Sequence, residues 1–526
     1  MEYLKKFETI ELGRGCYIYP KGGCAEILSN ILKDCKRDLI LKFLDDKDSV
    51  NNLVAKQEEI RQSGEYVLIC AGDVQDELVL KCENLGLKYL DGREFIASCL
   101  GRQILLEASG EGWAKFELLE NGGLRIFDNL WITHYYFFYD LFVYYVSPKC
   151  LEALTQCVLQ YTLSIKEALL QVGFNLEVSY GISLNYAPHT HKIATFIHKD
   201  IPIEWYFGSY EYYLLHKQKV VGNRILIAPW VLIDFFVSKK VALFLSSIVP
   251  KLSCESKIIV GMGHSIAEAF GFFPRALKQE YLKQYIGYYF LGFDYYLAID
   301  RASLKAYESI FQSVGVKTKA IAGGSPRLDL KLEQSCALRS IEQFLFIPRL
   351  TKPYELMGII KRLLELGKKV LFRPHPAYRG YYQWVGKQNP YACLEVFLSY
   401  AGFSFDESES ITLDSLSKSI VITDNSSLSY SAPLNSLKPV ILYAPPKKEF
   451  DLRVCNFDCS FVNPLLHRVA LNESEFMQVA LRLEEELKQS GELIAQEILQ
   501  YKEANIFYPK ASALEIAKLL MSLLES

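Results

Sequence analysis

Short apolar strands alternate with helical periods along most of this chain, and that alternation restricts it to α/β architecture more firmly than any single residue does. The opening shows the pattern in full. CYIYP reads as a strand, KGG as a turn, CAEILSNILKDC as a helix and LILKFL as a second strand closing on Asp45 and Asp46; YVLICAG, a further helix and LKYLDG repeat it. Residues 1–108 are therefore expected to form a small Rossmann-like domain. Its turn, PKGGCAEI, is not GxGxxG, and Asp45 only echoes a ribose-binding acid, so a scaffolding or docking role is expected there. The stretches 109–335 and 336–526 are expected to form two larger units of mixed or α/β type.

Composition narrows the setting. Half of the 526 residues are hydrophobic, enough for several sizeable cores. A formal charge of −3 and a pI near 6.3 argue against a dedicated nucleic-acid binder. The thirteen cysteines are odd in number and include neither a CxxC pair nor a Cys/His cluster of zinc spacing, which suits reduced thiols in a cytoplasm. MEYLKKFETIEL lacks the apolar centre and cleavage site of an export signal. The run 225–250 is interrupted by Pro229, Asp234, Lys239 and Lys240, and the aromatic run HYYFFYDLFVYYV is too short to span a bilayer; core packing is expected for both, with lipid contact the weaker reading of the aromatic one.

Chemistry-bearing residues gather where strands end. KIIVGMG leads through Gly263 to His264, with Ser265 placed to cap a following helix; a loop histidine there suits proton transfer, or equally a simple loop hydrogen bond. In GGSPRLDL the glycines allow a tight turn, Pro326 fixes it and Arg327 offers a fork of donors two residues before Asp329, with a surface ion pair as the plainer alternative. FLFIPRL ends a strand at Arg349, and KKVLFRPHP ends another at Arg373 with His375 held between prolines. SKSIVIT runs into Asp424, Asn425, Ser426 and Ser427 before a small-residue helix. Hydroxyls and free N–H groups at a helix start can cradle a phosphate, although Ser and Asn are favoured as caps whatever binds. KPVILYAPP is a further buried strand. Consecutive strand exits of this kind would line one edge of a parallel sheet, where ligands of open α/β sheets bind.

Taken in order, a glycine-preceded His, GSPRLD, Pro-Arg after a strand, RPHP, TDNSS and KPVILYAP resemble the CDP-glycerol glycerophosphotransferase family of teichoic-acid polymerases and related capsule enzymes, over roughly residues 255–455. The resemblance implies a GT-B fold: two Rossmann-like halves around a cleft, an acceptor-side half containing His264, a donor-binding C-terminal half, and C-terminal helices such as SALEIAKLLMSLLE packed back across the halves. It further implies transfer of a polyol phosphate from a CDP-activated donor to a hydroxyl of a surface-polysaccharide or lipid-linked acceptor, with release of CMP. On that analogy His264 is the catalytic base. His375 with Arg373 contacts the diphosphate, Asp424, Asn425, Ser426, Ser427 and Arg349 hold the donor, and Arg327 with Asp329 orients His264 or binds the acceptor. The family usually has Tyr where this chain has Asn425, an acid where it has Ser431, and Trp-His-Gly-Thr where it has GHSIAE. CMP-sugar transferases, which also carry His-Pro and paired-Ser motifs on GT-B folds, remain the competing reading, and a non-catalytic glycan-assembly protein is a third. No cofactor is expected, and the C-terminal half contains no DxD motif for a metal-bound diphosphate, so metal-independent chemistry is expected. The expected location is the cytoplasm, peripheral on the inner membrane; oligomeric state is left open.

Overall fold

A computed structural model describes residues 2–7, 10–13, 15–36, 38–71, 75–110, 115–120, 122–142, 146–245, 257–263, 283, 286–287, 289–329, 341–348, 353–374, 389, 391–406, 408, 411–424, 426, 428–443 and 462–526. Its strands form three sheets, each built mainly from parallel pairs. The first contains β1 (Gly15–Tyr19), β2 (Ile40–Phe43), β3 (Tyr66–Ile69) and β4 (Tyr89–Asp91) in the order β2-β1-β3-β4. Helix α1 (Gly23–Cys35) connects β1 to β2, matching the opening pattern of the sequence.

The middle sheet has nine strands: β5 (Phe116–Leu118), β6 (Leu124–Ile126), β7 (Ser179–Asn185), β8 (Ile203–Phe207), β9 (Arg224–Ile227), β10 (Lys239–Leu245), β11 (Ile258–Met262), β12 (Tyr295–Ala298) and β13 (Lys319–Ala322). Their order is β13-β12-β11-β10-β7-β8-β9-β6-β5, with only the β5–β6 pair antiparallel. Counted from β7, the parallel strands run 3-2-1-4-5-6-7, a doubly wound order that reverses direction between β7 and β10. The third sheet repeats the scheme. Its strands β14 (Gln343–Ile347), β15 (Lys369–Phe372), β16 (Phe403–Phe405), β17 (Ser419–Thr423), β18 (Val440–Tyr443) and β19 (His467–Ala470) lie in the order β16-β15-β14-β17-β18-β19, which is 3-2-1-4-5-6 with its switch point between β14 and β17. The expected fold class, a pair of Rossmann-like halves preceded by a smaller Rossmann-like unit, is the architecture observed.

The small first sheet does not stand apart. Helix α2 (Gly92–Ser109) begins on Asp91, whose carboxylate accepts from the N–H groups of Arg93 and Glu94. It lies against α4 (Pro148–Gln171), where Gly101 permits close approach: a Cβ there would sit 3.0 Å from Leu4 Cδ1 and 3.2 Å from Cys157 Sγ. The aromatic run supplies α3 (Leu130–Phe142), which buries Ile132, Tyr135 and Phe138 in the same core. That core runs without a break from Leu4 through α1, α2 and α4 to Phe244 and Tyr296 of the middle sheet. Residues 225–245 supply β9 and β10 and are largely buried, so core packing holds for both suspect runs as far as they are described. Among the described residues no helix is long and apolar enough to cross a membrane.

The C-terminal segment returns across the molecule. Helix α10 (Glu473–Asn505) packs on the third sheet, Phe507 N donates to Ile299 O beyond β12, and α11 (Ser512–Glu525) then lies on the middle sheet. Ala513, Ile516, Ala517, Leu520 and Leu524 recur at helical spacing and share one core with Ile182, Leu184, Val241 and Val260. The back-packing of SALEIAKLLMSLLE that the resemblance implied is therefore present.

Candidate functional site

The switch point of the third sheet is built from inside outwards. β14 and β17 are both buried, and Thr423 at the end of β17 donates through Oγ1 to Ile347 O at the end of β14, 3.0 Å away. That bond fixes the direction of the next one. Thr423 has one hydroxyl proton and has used it, so in the 2.8 Å contact between Thr423 Oγ1 and Ser426 Oγ the serine is the donor. Ser426 also receives at its carbonyl the N–H (3.1 Å) and hydroxyl (2.7 Å) of Ser429, and its own N–H returns to Asp424 O at 2.8 Å. Asp424 and Ser426 are both buried. At the strand exit the Ser426 hydroxyl is thus spent on Thr423 Oγ1, and the Ser426 carbonyl on Ser429.

Helix α9 (Leu428–Ser436) leaves this turn and is steadied by a residue that sequence reading passed over. His467, on β19, accepts the N–H of Asn463 at Nδ1 (2.9 Å), so its remaining ring proton is on Nε2 and is donated to Ser429 O at 2.8 Å. Its ring stands edge-on to Tyr430 with centroids 4.9 Å apart. Burial pushes its pKa down from 6.5 to about 4, because a charged imidazole would lose solvent, while the bond to Ser429 O opposes the shift only in part. Signal for this role was slight: a lone histidine in LLHRVA resembles many others.

Arg373 ends β15 on the same edge. Its guanidinium is buried and occupied: Nη1 donates to Asp406 Oδ2 (2.8 Å) and Ser408 Oγ (2.7 Å), and Nη2 to Ser408 O (2.7 Å). Burial of Asp406 opposes ionisation, but the bonds from Ser408 and Arg373 outweigh it and hold the carboxyl below its usual range. In this arrangement Arg373 anchors the loop after β16, and a diphosphate reaching it would compete with Asp406.

The GGSPRLD turn meets the C-terminal segment. Gly324 has φ +71°, and a Cβ on it would lie 2.2 Å from Phe507 O and 2.4 Å from Ser512 Oγ. Asp329 accepts the N–H of Ser512 at Oδ1 (2.9 Å) and of Ala513 at Oδ2 (2.8 Å). Position 511, the N-cap of α11, is Ala and cannot cap, so Asp329 does so from 183 positions away in the chain. Lys192 Nζ stands 3.7 Å from the same carboxylate. Asn435 Nδ2 of α9 donates to Arg327 O at 3.1 Å, joining the two larger halves at this turn. The structure therefore places Asp329 in a helix cap, a use that the expected orienting role had not included.

Helix α9 stands between these groups: Asp424 and Ser426 precede its first turn, whereas Asn435, which meets Arg327 O, lies in its last. Asp424, Ser426 and α9 come from the third sheet, Arg327 and Asp329 from the exit of the middle sheet, and α11 from the C-terminal return. At the middle-sheet switch point, Asn185 ends β7 buried, and its Oδ1 has no hydrogen-bond partner among the described residues; nothing in SLNYAP announced it. Gly263, also buried, is the last described residue before His264. His264, Arg349, His375, Asn425 and Ser427 lie outside the described residues.

No protein-family model and no curated protein sequence matches this chain. Solved structures do. HepE of Anabaena with UDP and glucose is 13% identical with a TM-score of 0.38, over 65% of this chain and all (100%) of that one. The kitacinnamycin glycotransferase is 8% identical with a TM-score of 0.40, over 66% and 99%. UDP-N-acetylglucosamine 2-epimerase of Rickettsia bellii is 13% identical with a TM-score of 0.36, over 63% and 97%. Likeness at this level assigns neither an activity nor a ligand to the chain. The fold rests on the strand orders above, and the CDP-glycerol resemblance on its motifs.

Proposed function

We propose that the chain is a nucleotide-activated transferase whose donor binds at the switch point of the third sheet. The observation that supports this reading is that β17, which ends at Thr423 and runs into Asp424, lies directly beside β14 at the switch point, where a doubly wound sheet opens a crevice. In this reading residues 336–526 form the donor half, 109–335 the acceptor half, and 1–108 a scaffold. The donor is cytidine-activated and of the CDP-glycerol type, as the order of motifs suggests. A CMP-sugar donor is the second reading, favoured by the departures at Asn425, Ser431 and GHSIAE.

Each residue then takes a role. His264 removes the proton of the acceptor hydroxyl as its oxygen attacks phosphorus, or the anomeric carbon of a CMP-sugar; the bond to the cytidylate oxygen breaks and CMP departs with the electron pair. Protonated His375 and Arg349, with hydrogen bonds from Asn425 and Ser427, offset the negative charge on CMP. Ser426, Thr423 and His467 are positioning residues that hold the turn, Arg373 shapes the neighbouring exit, and Asp329 with Arg327 keeps the halves in register. The acceptor is a glycan or lipid-linked hydroxyl compound met at a membrane surface.

Calorimetric titration with CMP, CDP, UMP, UDP and GDP checks the reading. The expected result is cytidine-selective binding that Ser427→Ala weakens about tenfold and His264→Ala leaves unchanged while turnover disappears. Absence of cytidine binding, or affinity indifferent to Ser427, would reduce TDNSS to a helix cap.

A further inference from the structure

We propose that the turn between α6 (Tyr210–His216) and β9, at the N-terminal edge of the middle sheet, is a lipid-contacting surface that takes an anionic bilayer interface. Leu215 is 71% and Val221 80% exposed, and Leu214 beside them is 43% exposed. Lys217 and Lys219, also exposed, stand between them in the chain. Tyr180, 53% exposed, enters β7 at the same edge, two residues before the Ile182↔Ile203 pairing.

This exposure belongs to a built turn. Val220 is buried in the core beneath it, the His216 ring packs on Tyr212 at 4.5 Å, and Gly222 closes the turn at φ +83°. The anchored residues alternate with the exposed ones, so Leu215 and Val221 are held outward. Of the acids around this turn, Glu211 at the start of α6 is exposed, Glu204 is buried with Arg224 Nε at 3.1 Å, and Asp200 lies 3.2 Å from His198, so the exposed positions between Leu215 and Val221 themselves carry Lys217 and Lys219 and no acid. Aliphatic side chains standing proud between lysines suit an interface in which the apolar groups enter the acyl boundary and the ammonium groups meet anionic headgroups. A protein partner would call for a broader apolar patch than one turn supplies. The surface is at the end of the middle sheet opposite its strand exits, so lipid contact and donor entry do not compete. The proposal goes beyond the donor-site reading and does not depend on it.

The experiment is co-sedimentation of the full-length protein, without nucleotide, with phosphatidylcholine vesicles and with vesicles that also contain phosphatidylglycerol. We expect binding to the anionic vesicles that falls with salt. K217E/K219E should weaken it about tenfold or more, and L215D/V221D should abolish it, with unchanged Tm in both variants. Wild-type protein that leaves the vesicles unbound, or an L215D/V221D variant that binds like wild type, overturns the proposal. So does a wild-type dimer that L215D/V221D splits with no vesicle binding, which would give the turn to a protein contact.

Discussion

His467 shows how a single buried ring can control the turn at the candidate site. Neutral, it accepts one hydrogen bond from Asn463 N–H and gives one to Ser429 O; protonated, its Nδ1–H would face the Asn463 N–H donor and its charge would be buried. Its folded pKa, about 4, lies below the ordinary 6.5, so its contribution is complete above pH 6.5 and is lost as pH falls from 6.5 towards 4. The gap corresponds to about 3 kcal/mol. Urea unfolding followed between pH 7 and pH 4 should therefore show a steeper decline in wild type than in a His467→Gln variant already destabilised at pH 7. Identical pH slopes for the two proteins would remove this role. Neither the burial nor the tautomer could be read from the sequence, because both depend on Asn463 and Ser429 arriving from different parts of the fold.

Among elements, the GGSPRLD turn and the start of α11 act as one unit. Gly324 is needed twice, for its left-handed backbone and for the missing Cβ that lets Phe507 O and Ser512 approach. Gly324→Ala is expected to cost more than about 2 kcal/mol, since the nearest atom is a backbone oxygen that cannot swing away. The same substitution at Gly173, also at positive φ but with open space around its Cβ position, should cost about 1 kcal/mol. Chemical denaturation of both variants measures the difference, and equal losses would show that the close approach to the C-terminal segment does not matter. The motif was legible as a tight turn carrying an arginine and an acid. That its acid caps a helix 183 positions later was not, because Ala511 announces only that some cap is missing.

At the scale of the whole molecule, α11 ties the end of the chain to the middle sheet rather than to the sheet that precedes it. Ile516, Leu520 and Leu524 each contribute about 1.5–3 kcal/mol on burial, and they cover Ile182, Leu184 and Val241. Deleting residues 512–526 should leave that face open, lower Tm sharply and make the middle half the first to be cut in limited proteolysis, with the third sheet more resistant. Uniform proteolysis, or an unchanged Tm, would contradict this division. The continuous core from α1 and α2 to Tyr296 has a parallel consequence: the first sheet is welded to the middle one by apolar packing, so a docking function there would use its outer surfaces.

What the sequence determined by itself was local. β-branched runs at 258–262 and 419–423, the helical period of 513–524 and the glycine-bearing turns fix strands, helices and their alternation, because backbone sterics and side-chain periodicity act within a few residues. Strand order, and with it the switch points that make β14 and β17 neighbours, was decided only by tertiary packing, since any of several orders would satisfy the same apolar runs. The direction of individual protons followed from that order. The Ser426 hydroxyl, which the sequence offers as a hydrogen-bond donor to phosphate, is directed to Thr423 in the fold because Thr423 gives its one proton to the carbonyl of Ile347, a residue 76 positions earlier that only the folded sheet brings within reach.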